Sequence, residues 1–168
     1  MWRMTAAPPN LDALALRPLT PEEFDVFRER SHREYAEEIA ANFRVSQEAA
    51  EERSRTQLAE LLPAGRATAD NHFLAIVDGD DQLLGEIWMA LKEQLGGIEA
   101  FGFDFWVRPE LRDAGIGRRA MQLAAAYAKE HGAVRLALNV FGDNARARHL
   151  YESFGFHVTN TNMAMPLD

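Results

Sequence analysis

Apolar positions follow two different periods along the chain. Between Thr20 and Leu62 they recur at mostly helical spacing: Phe24, Phe27, Tyr35, Ile39 and Phe43 mark one helix running to about Asn42. Thr20-Pro21-Glu22-Glu23 reads as its start, with Thr as N-cap, Pro at the first helical position and acids in the first turn. Ser46 opens a second helix carrying Ala49, Ala50, Leu58, Leu61 and Leu62, stopped by Pro63 and Gly65. The other sides of both helices are charged and read as solvated. Ahead of them, Leu14, Leu16 and Leu19 predict a short strand ended by Pro18 and Thr20.

From Phe73 onward the pattern shortens. Phe73–Val77 is apolar, Asp78–Asp81 is a turn around Gly79, and Leu83–Leu91 is the returning strand. After a Gly96-Gly97 turn comes an aromatic-rich strand, Glu99–Val107. Ile116–His131 is a helix with Ile116, Ala120, Leu123 and Tyr127 on one face and Gly132 as its stop. Leu136–Val140 predicts a strand, Asn144–Phe154 a helix, and Phe156 onward a strand again. The order β-α-α-β-β-β-α-β-α-β requires a parallel pair across 99–140, joined by a right-handed crossover, beside antiparallel hairpins. The fold class is therefore α/β on a mixed sheet. A chain of 168 residues fits one domain: residues 1–12 read as a flexible N-terminal tail and 13–168 as the domain.

Composition narrows the chemistry. With no cysteine, disulfides, thiolate metal sites and a cysteine nucleophile are excluded, and the five histidines never fall into a metal-ligand spacing. The net charge of −8 argues against a nucleic-acid partner. No apolar run is long enough for a membrane span, and Met1–Leu11 lacks the apolar centre of a signal peptide, so a cytoplasmic protein is expected. The charge is uneven: 20–62 holds eleven acids and six arginines, whereas 108–151 holds eight basic and four acidic residues. That asymmetry fits a bound anion in the second half, or scattered solvated charge.

The most informative stretch is Val107-Arg-Pro-Glu-Leu-Arg112-Asp113-Ala114-Gly115-Ile116-Gly117-Arg118-Arg119. A strand ends, and a glycine pair opens a helix whose amides and arginines would bind phosphate. Gly115-x-Gly117-x-x-Ala120 formally matches a dinucleotide fingerprint. However, eight positions separate Val107 from Gly115, and Arg135 and Asn139 stand where the ribose-binding acid belongs.

Arg112-x-x-Gly115-x-Gly117 and, downstream, Asn144-x-x-Ala147-x-x-Leu150-Tyr151-x-x-x-Gly155-Phe156 together resemble the GNAT superfamily of N-acetyltransferases, specifically over Phe73–Leu167. The resemblance implies a sheet with splayed parallel strands flanked by helices. It implies acetyl-CoA as cosubstrate, with a primary amine of an unidentified small molecule or peptide as acceptor; a monomer or homodimer is expected. Asp113–Arg118 would cradle the pyrophosphate, the strand end Phe105-Trp106-Val107 would pair with the pantetheine amides, and Asn144 would contact the cofactor arm near the thioester. Tyr151 lies on the family's catalytic tyrosine position and would protonate the leaving thiolate. For the base, the alanine-acetyltransferase pattern calls for a glutamate where this chain has Asn139. Candidates on neighbouring strands are Asp104, set among Phe103, Phe105 and Trp106, then Glu99, Glu86 or a water chain. Trp88 and Trp106 shape the acceptor pocket or fill the core. The acidic 20–62 segment favours a cationic amine or is a solvated face. A non-catalytic acyl-CoA-binding module of the same fold is the alternative.

Overall fold

The computed structural model describes residues 9–167, and the chain forms two compact units divided between Leu138 and Asn139. In the first unit, β1 (Ala15–Pro18), β2 (Asn71–Val77), β3 (Leu83–Gln94), β4 (Gly97–Val107) and β5 (Ala133–Leu138) form one sheet in that spatial order. Neighbours are antiparallel except β4 and β5, which run parallel and are joined through α3 (Ile116–Glu130). This is the mixed α/β sheet that the order of elements predicts: a parallel neighbour needs a crossover, because a tight turn reverses the chain.

β2 shows how the sheet is covered. Successive strand side chains point to opposite faces. Leu74 and Ile76 therefore join Ile116, Ala120, Ala124 and Ala128 of α3, while Phe73, Ala75 and Val77 join Phe24 and Phe27 of α1 (Pro21–Phe43). With helices on both faces the strand has no polar side, and Phe73 to Val77 are all buried. Burying a side chain the size of Phe27 contributes about 1.5–3 kcal/mol. Thr20 caps α1 and Ser46 caps α2 (Gln47–Leu61), as predicted, and the Glu23 side chain completes a capping box with Thr20.

The end of the expected N-terminal tail is ordered. Leu11–Ala13 form a 3-10 turn capped by Asn10, and Leu11 packs on the α3-side core. Residues 1–8 of that tail lie outside the described residues.

The register of β3 against β4 passes from Trp88↔Asp104 to Met89↔Gly102, which makes Phe103 a β-bulge. The bulge interrupts the alternation of β4. Phe103 stacks on Trp88 at 4.4 Å, and its neighbour Asp104 bonds to Arg30 of α1, so consecutive side chains face α1.

The second unit holds α4 (Ala145–Ser153), capped by Asn144. The strand expected from Phe156 does not form. The Phe156 amide bonds back to the Tyr151 carbonyl instead of entering a ladder, and Val158, Met163, Met165 and Leu167 are exposed rather than set on a sheet face. β5 also lies earlier than expected, so Asn139 and Val140 follow its end.

Candidate active site

The loop between β4 and α3 is built to present amides. Asp113 and Gly115 both have left-handed backbones, with φ of 64° and 83°. Such turns aim successive N–H groups into one concavity. Position 115 favours glycine because its φ is positive, and a Cβ there would also crowd Leu11 Cδ1 at 3.0 Å. Nε of Arg112 donates to the Val107 carbonyl at 3.0 Å and ties the loop to the end of β4. The first bond within α3 runs from the Arg119 amide to the Gly115 carbonyl, which leaves the amides of Ile116 and Gly117 without an acceptor inside the helix. The Ile116 side chain is core, so only its backbone is offered to a ligand.

Charge at this helix start runs against the usual preference. α1 and α2 place acids in their first turns, whereas α3 places Arg118 and Arg119 there and no acid. Cations are disfavoured at a helix N-terminus unless an anion joins them. Nε of Arg119 is buried and makes no hydrogen bond. A ligand with several anionic oxygens fits these donors.

β4 pairs with β5 only as far as Gly102↔Leu138, but with β3 as far as Val107↔Gly85. Its last five residues therefore have one flank without a strand in the first unit. The Arg108 amide donates to the Leu84 carbonyl across β3. Peptide groups alternate in direction along a strand, so those of Phe105 and Val107 turn to the open flank and that of Trp106 turns to β3. The expected trio is thus divided. Phe105 offers its backbone groups and Val107 its N–H, the Val107 carbonyl being bonded to Arg112, while Trp106 is engaged in the ladder, and its ring lies 4.5 Å from the Arg30 guanidinium carbon.

Beside this flank lies a buried charge cluster. Arg30 Nη2 donates to Glu86 at 2.8 Å and to Asp104 at 3.1 Å, Nε donates to Glu86 at 3.2 Å, and Nη1 donates to Glu34 at 2.8 Å. Burial pushes the Asp104 carboxyl above its ordinary range, and Arg30 only partly offsets this. Burial likewise raises Glu86. Burial pulls Arg30 down, but Asp104, Glu86 and Glu34 together outweigh it and hold the guanidinium charged.

Of the acids that sequence reasoning singled out, the structure brings Asp104 and Glu86 together and leaves Glu99 apart, paired with Arg135 of β5. Arg30 was missed. Its spacing three residues after Phe27, on the apolar stripe of α1, was the available signal. Trp88 is a core residue whose indole N–H donates to Asn71.

In the second unit, the Asn144 side chain accepts from the Ala147 amide, so its oxygen caps α4. Tyr151 is half-buried on that helix, with its ring 5.6 Å from that of Phe156. Among the described residues no three His, Asp or Glu side chains are grouped to hold a metal ion, and no helix is long and apolar enough to cross a membrane.

Residues 25–156 match the acetyltransferase (GNAT) family. The chain is 30% identical to the uncharacterised N-acetyltransferase YdgE of Bacillus subtilis, over 92% of this chain and 99% of that protein. The crystal structure of the B. subtilis acetyltransferase YycN superposes with a TM-score of 0.87 at 29% identity, covering 92% of this chain and 98% of that one. A mycothiol acetyltransferase of Beutenbergia cavernae is 38% identical over 47% of this chain but only 26% of its own length. The chain belongs to the acetyltransferase (GNAT) family and is an acetyltransferase.

Proposed function

We propose that the protein transfers the acetyl group of acetyl-CoA directly to a primary amine. One observation carries this reading: α3 opens with two arginines, a buried Arg119 Nε without a hydrogen bond, and amides that have no acceptor in the helix. Those donors suit a pyrophosphate. In this reading the amides from Asp113 to Arg118 hold it, with Ala114 and Gly115 shaping the turn and Arg112 fixing the loop. Phe105 pairs with the pantetheine amides along the open flank of β4, and Val107 turns its N–H to the same flank. Asn144 lies near the cofactor arm on the strength of the family motif alone.

The chemistry needs an amine that is neutral when it attacks. Asp104 accepts the amine proton, because burial has raised its affinity for one. The nitrogen bonds to the acetyl carbon, the Val107 amide supports the developing oxyanion, and the C–S bond breaks. Tyr151 gives its hydroxyl proton to the departing thiolate, a role that rests on the motif around it. With no cysteine in the chain, a direct transfer is the consistent route.

The test is to mix the protein with acetyl-CoA and, separately, putrescine, tyramine, lysine methyl ester and a peptide with a free N-terminus. Released thiol and acetylated product are then followed by absorbance and mass spectrometry. Acetyl-CoA should also raise the melting temperature where NAD does not. Stabilisation by NAD alone would overturn the reading.

A further inference from the structure

Arg30 is a buried guanidinium, 8% exposed, that serves three carboxylates at once. Two rings lie against it: the Trp106 ring is centred 4.5 Å from its central carbon and that of Phe27 5.7 Å away. We propose that Arg30 is a positioning residue for acetyl transfer, gripping Glu86 and Asp104 through one nitrogen so that Asp104, and not Glu86, receives the proton of the attacking amine. The inference rests on the reading of Asp104 as the base.

Access separates the two acids. Both bond to Nη2 of Arg30, but the Asp104 side chain is 18% exposed and that of Glu86 is 3%. The same cation therefore holds one carboxylate out of solvent and the other at the edge of the cluster, the side from which, in this proposal, the amine approaches. The bulge at Phe103 makes this possible, because it turns Asp104 toward α1, where plain alternation would have turned it away. Arg30 takes one oxygen of Asp104, and Ser31, the next residue of α1, favours its charged form. A carboxylate has roughly four acceptor sites, so capacity remains for the amine proton. The groups facing the pair are Ser31, Glu34 and Arg30 from α1, and Glu23 adds a more distant negative charge. Lysine does not replace this arrangement. Its single ammonium lacks the planar fork that spans three carboxylates and lies against an indole.

The test uses the full chain with Arg30→Lys, Arg30→Met, Asp104→Asn and Glu86→Gln. Carboxyl ¹³C NMR titrations of Asp104 and Glu86 are recorded, assigned by the two amide variants. Turnover is measured with acetyl-CoA and the most active amine of the panel above. In Arg30→Met the Asp104 midpoint should rise by about one pH unit or more, the usual effect of losing an adjacent opposite charge. In Arg30→Lys, which keeps the charge and supports the test if the methionine variant does not fold, kcat should fall at least tenfold. The KM for acetyl-CoA should stay unchanged, and the pH profile should follow the shifted Asp104 titration. A folded Arg30→Lys protein with wild-type kcat and an unmoved Asp104 titration overturns the positioning role. If Asp104→Asn keeps wild-type kcat, it is the base reading that fails. Loss of activity in Glu86→Gln with retention in Asp104→Asn reverses the proposed division between the two acids.

Discussion

Gly85 on β3 lies so close to Trp106 on β4 that a Cβ at position 85 would sit 2.3 Å from the Trp106 carbonyl oxygen. It would also press on Ile76 Cδ1 at 3.0 Å and Val107 Cα at 3.1 Å. The obstacle is backbone inside a ladder, so nothing flexible can yield. Gly85→Ala should therefore cost about 1–3 kcal/mol of stability, the range for overpacking. It should also weaken acetyl-CoA binding, because the displaced segment carries the peptide groups of Phe105 and Val107. Denaturant midpoints and calorimetry would check both, and an unchanged midpoint would contradict the packing described.

His72 on β2 lies within a ring cluster on α3. Its Nδ1 is 2.7 Å from the Tyr127 hydroxyl, and its ring is 5.2 Å from that of His131. Burial, and then the His131 charge, hold His72 below its ordinary pKa of 6.5, while Asp70 pulls the other way. As pH falls below that value, the unfolded chain takes up a proton that the folded chain refuses, so stability is lost on the acid side. The fall in melting temperature between about pH 7.5 and 5.5 should shrink in His72→Gln.

The Arg30 cluster gives the opposite sign. Asp104 and Glu86 are held above the ordinary carboxylate range, so the folded chain retains protons that the unfolded chain has released. Their contribution to stability falls as pH rises from the ordinary range through the raised values. Asp104→Asn removes one such group and leaves Arg30 bonded to Glu86 and Glu34. The variant should be at least as stable as the wild type at about pH 8 while losing turnover. A large drop in melting temperature would show Asp104 to be structural.

The parts of the molecule that were legible in the sequence are those specified locally. Thr20 and Glu23 form their capping box within one helical turn, and the glycine at 115 marks a left-handed turn through its own backbone freedom. Asp104 stood out because an acid among aromatics on one strand is out of place. What it pairs with was not legible, since Arg30 lies 74 positions away, and its place on the apolar stripe of α1 marks it as buried without naming a partner. The bulge at Phe103 likewise depends on the register against β3, which no local spacing reveals. The strand expected from Phe156 failed for a related reason: alternating apolar residues permit a strand, but only a ladder partner makes one.

Tyr151→Phe removes one hydroxyl and keeps the ring that packs against Phe156. If the hydroxyl protonates the thiolate, kcat should fall by about a hundredfold. Acetyl-CoA binding should hardly change, because the loss is felt in the transition state. The high-pH limb of kcat should move as well. A variant with more than about half of the wild-type kcat, measured where chemistry limits the rate, would remove Tyr151 from the mechanism.

Calorimetric titration of coenzyme A into the wild type and Gly117→Asp tests whether the start of α3 holds its pyrophosphate. Gly117 lies in the first turn of α3, where an aspartate adds a side chain and a negative charge beside the amides that are to hold phosphate. An acid at this position suits the helix itself, so the fold should survive with an unchanged melting temperature. Coenzyme A should bind the wild type clearly and the variant at least tenfold more weakly, a loss of about 1.4 kcal/mol or more. Equal affinity for both proteins, or no binding to the wild type, would contradict this placement of the pyrophosphate.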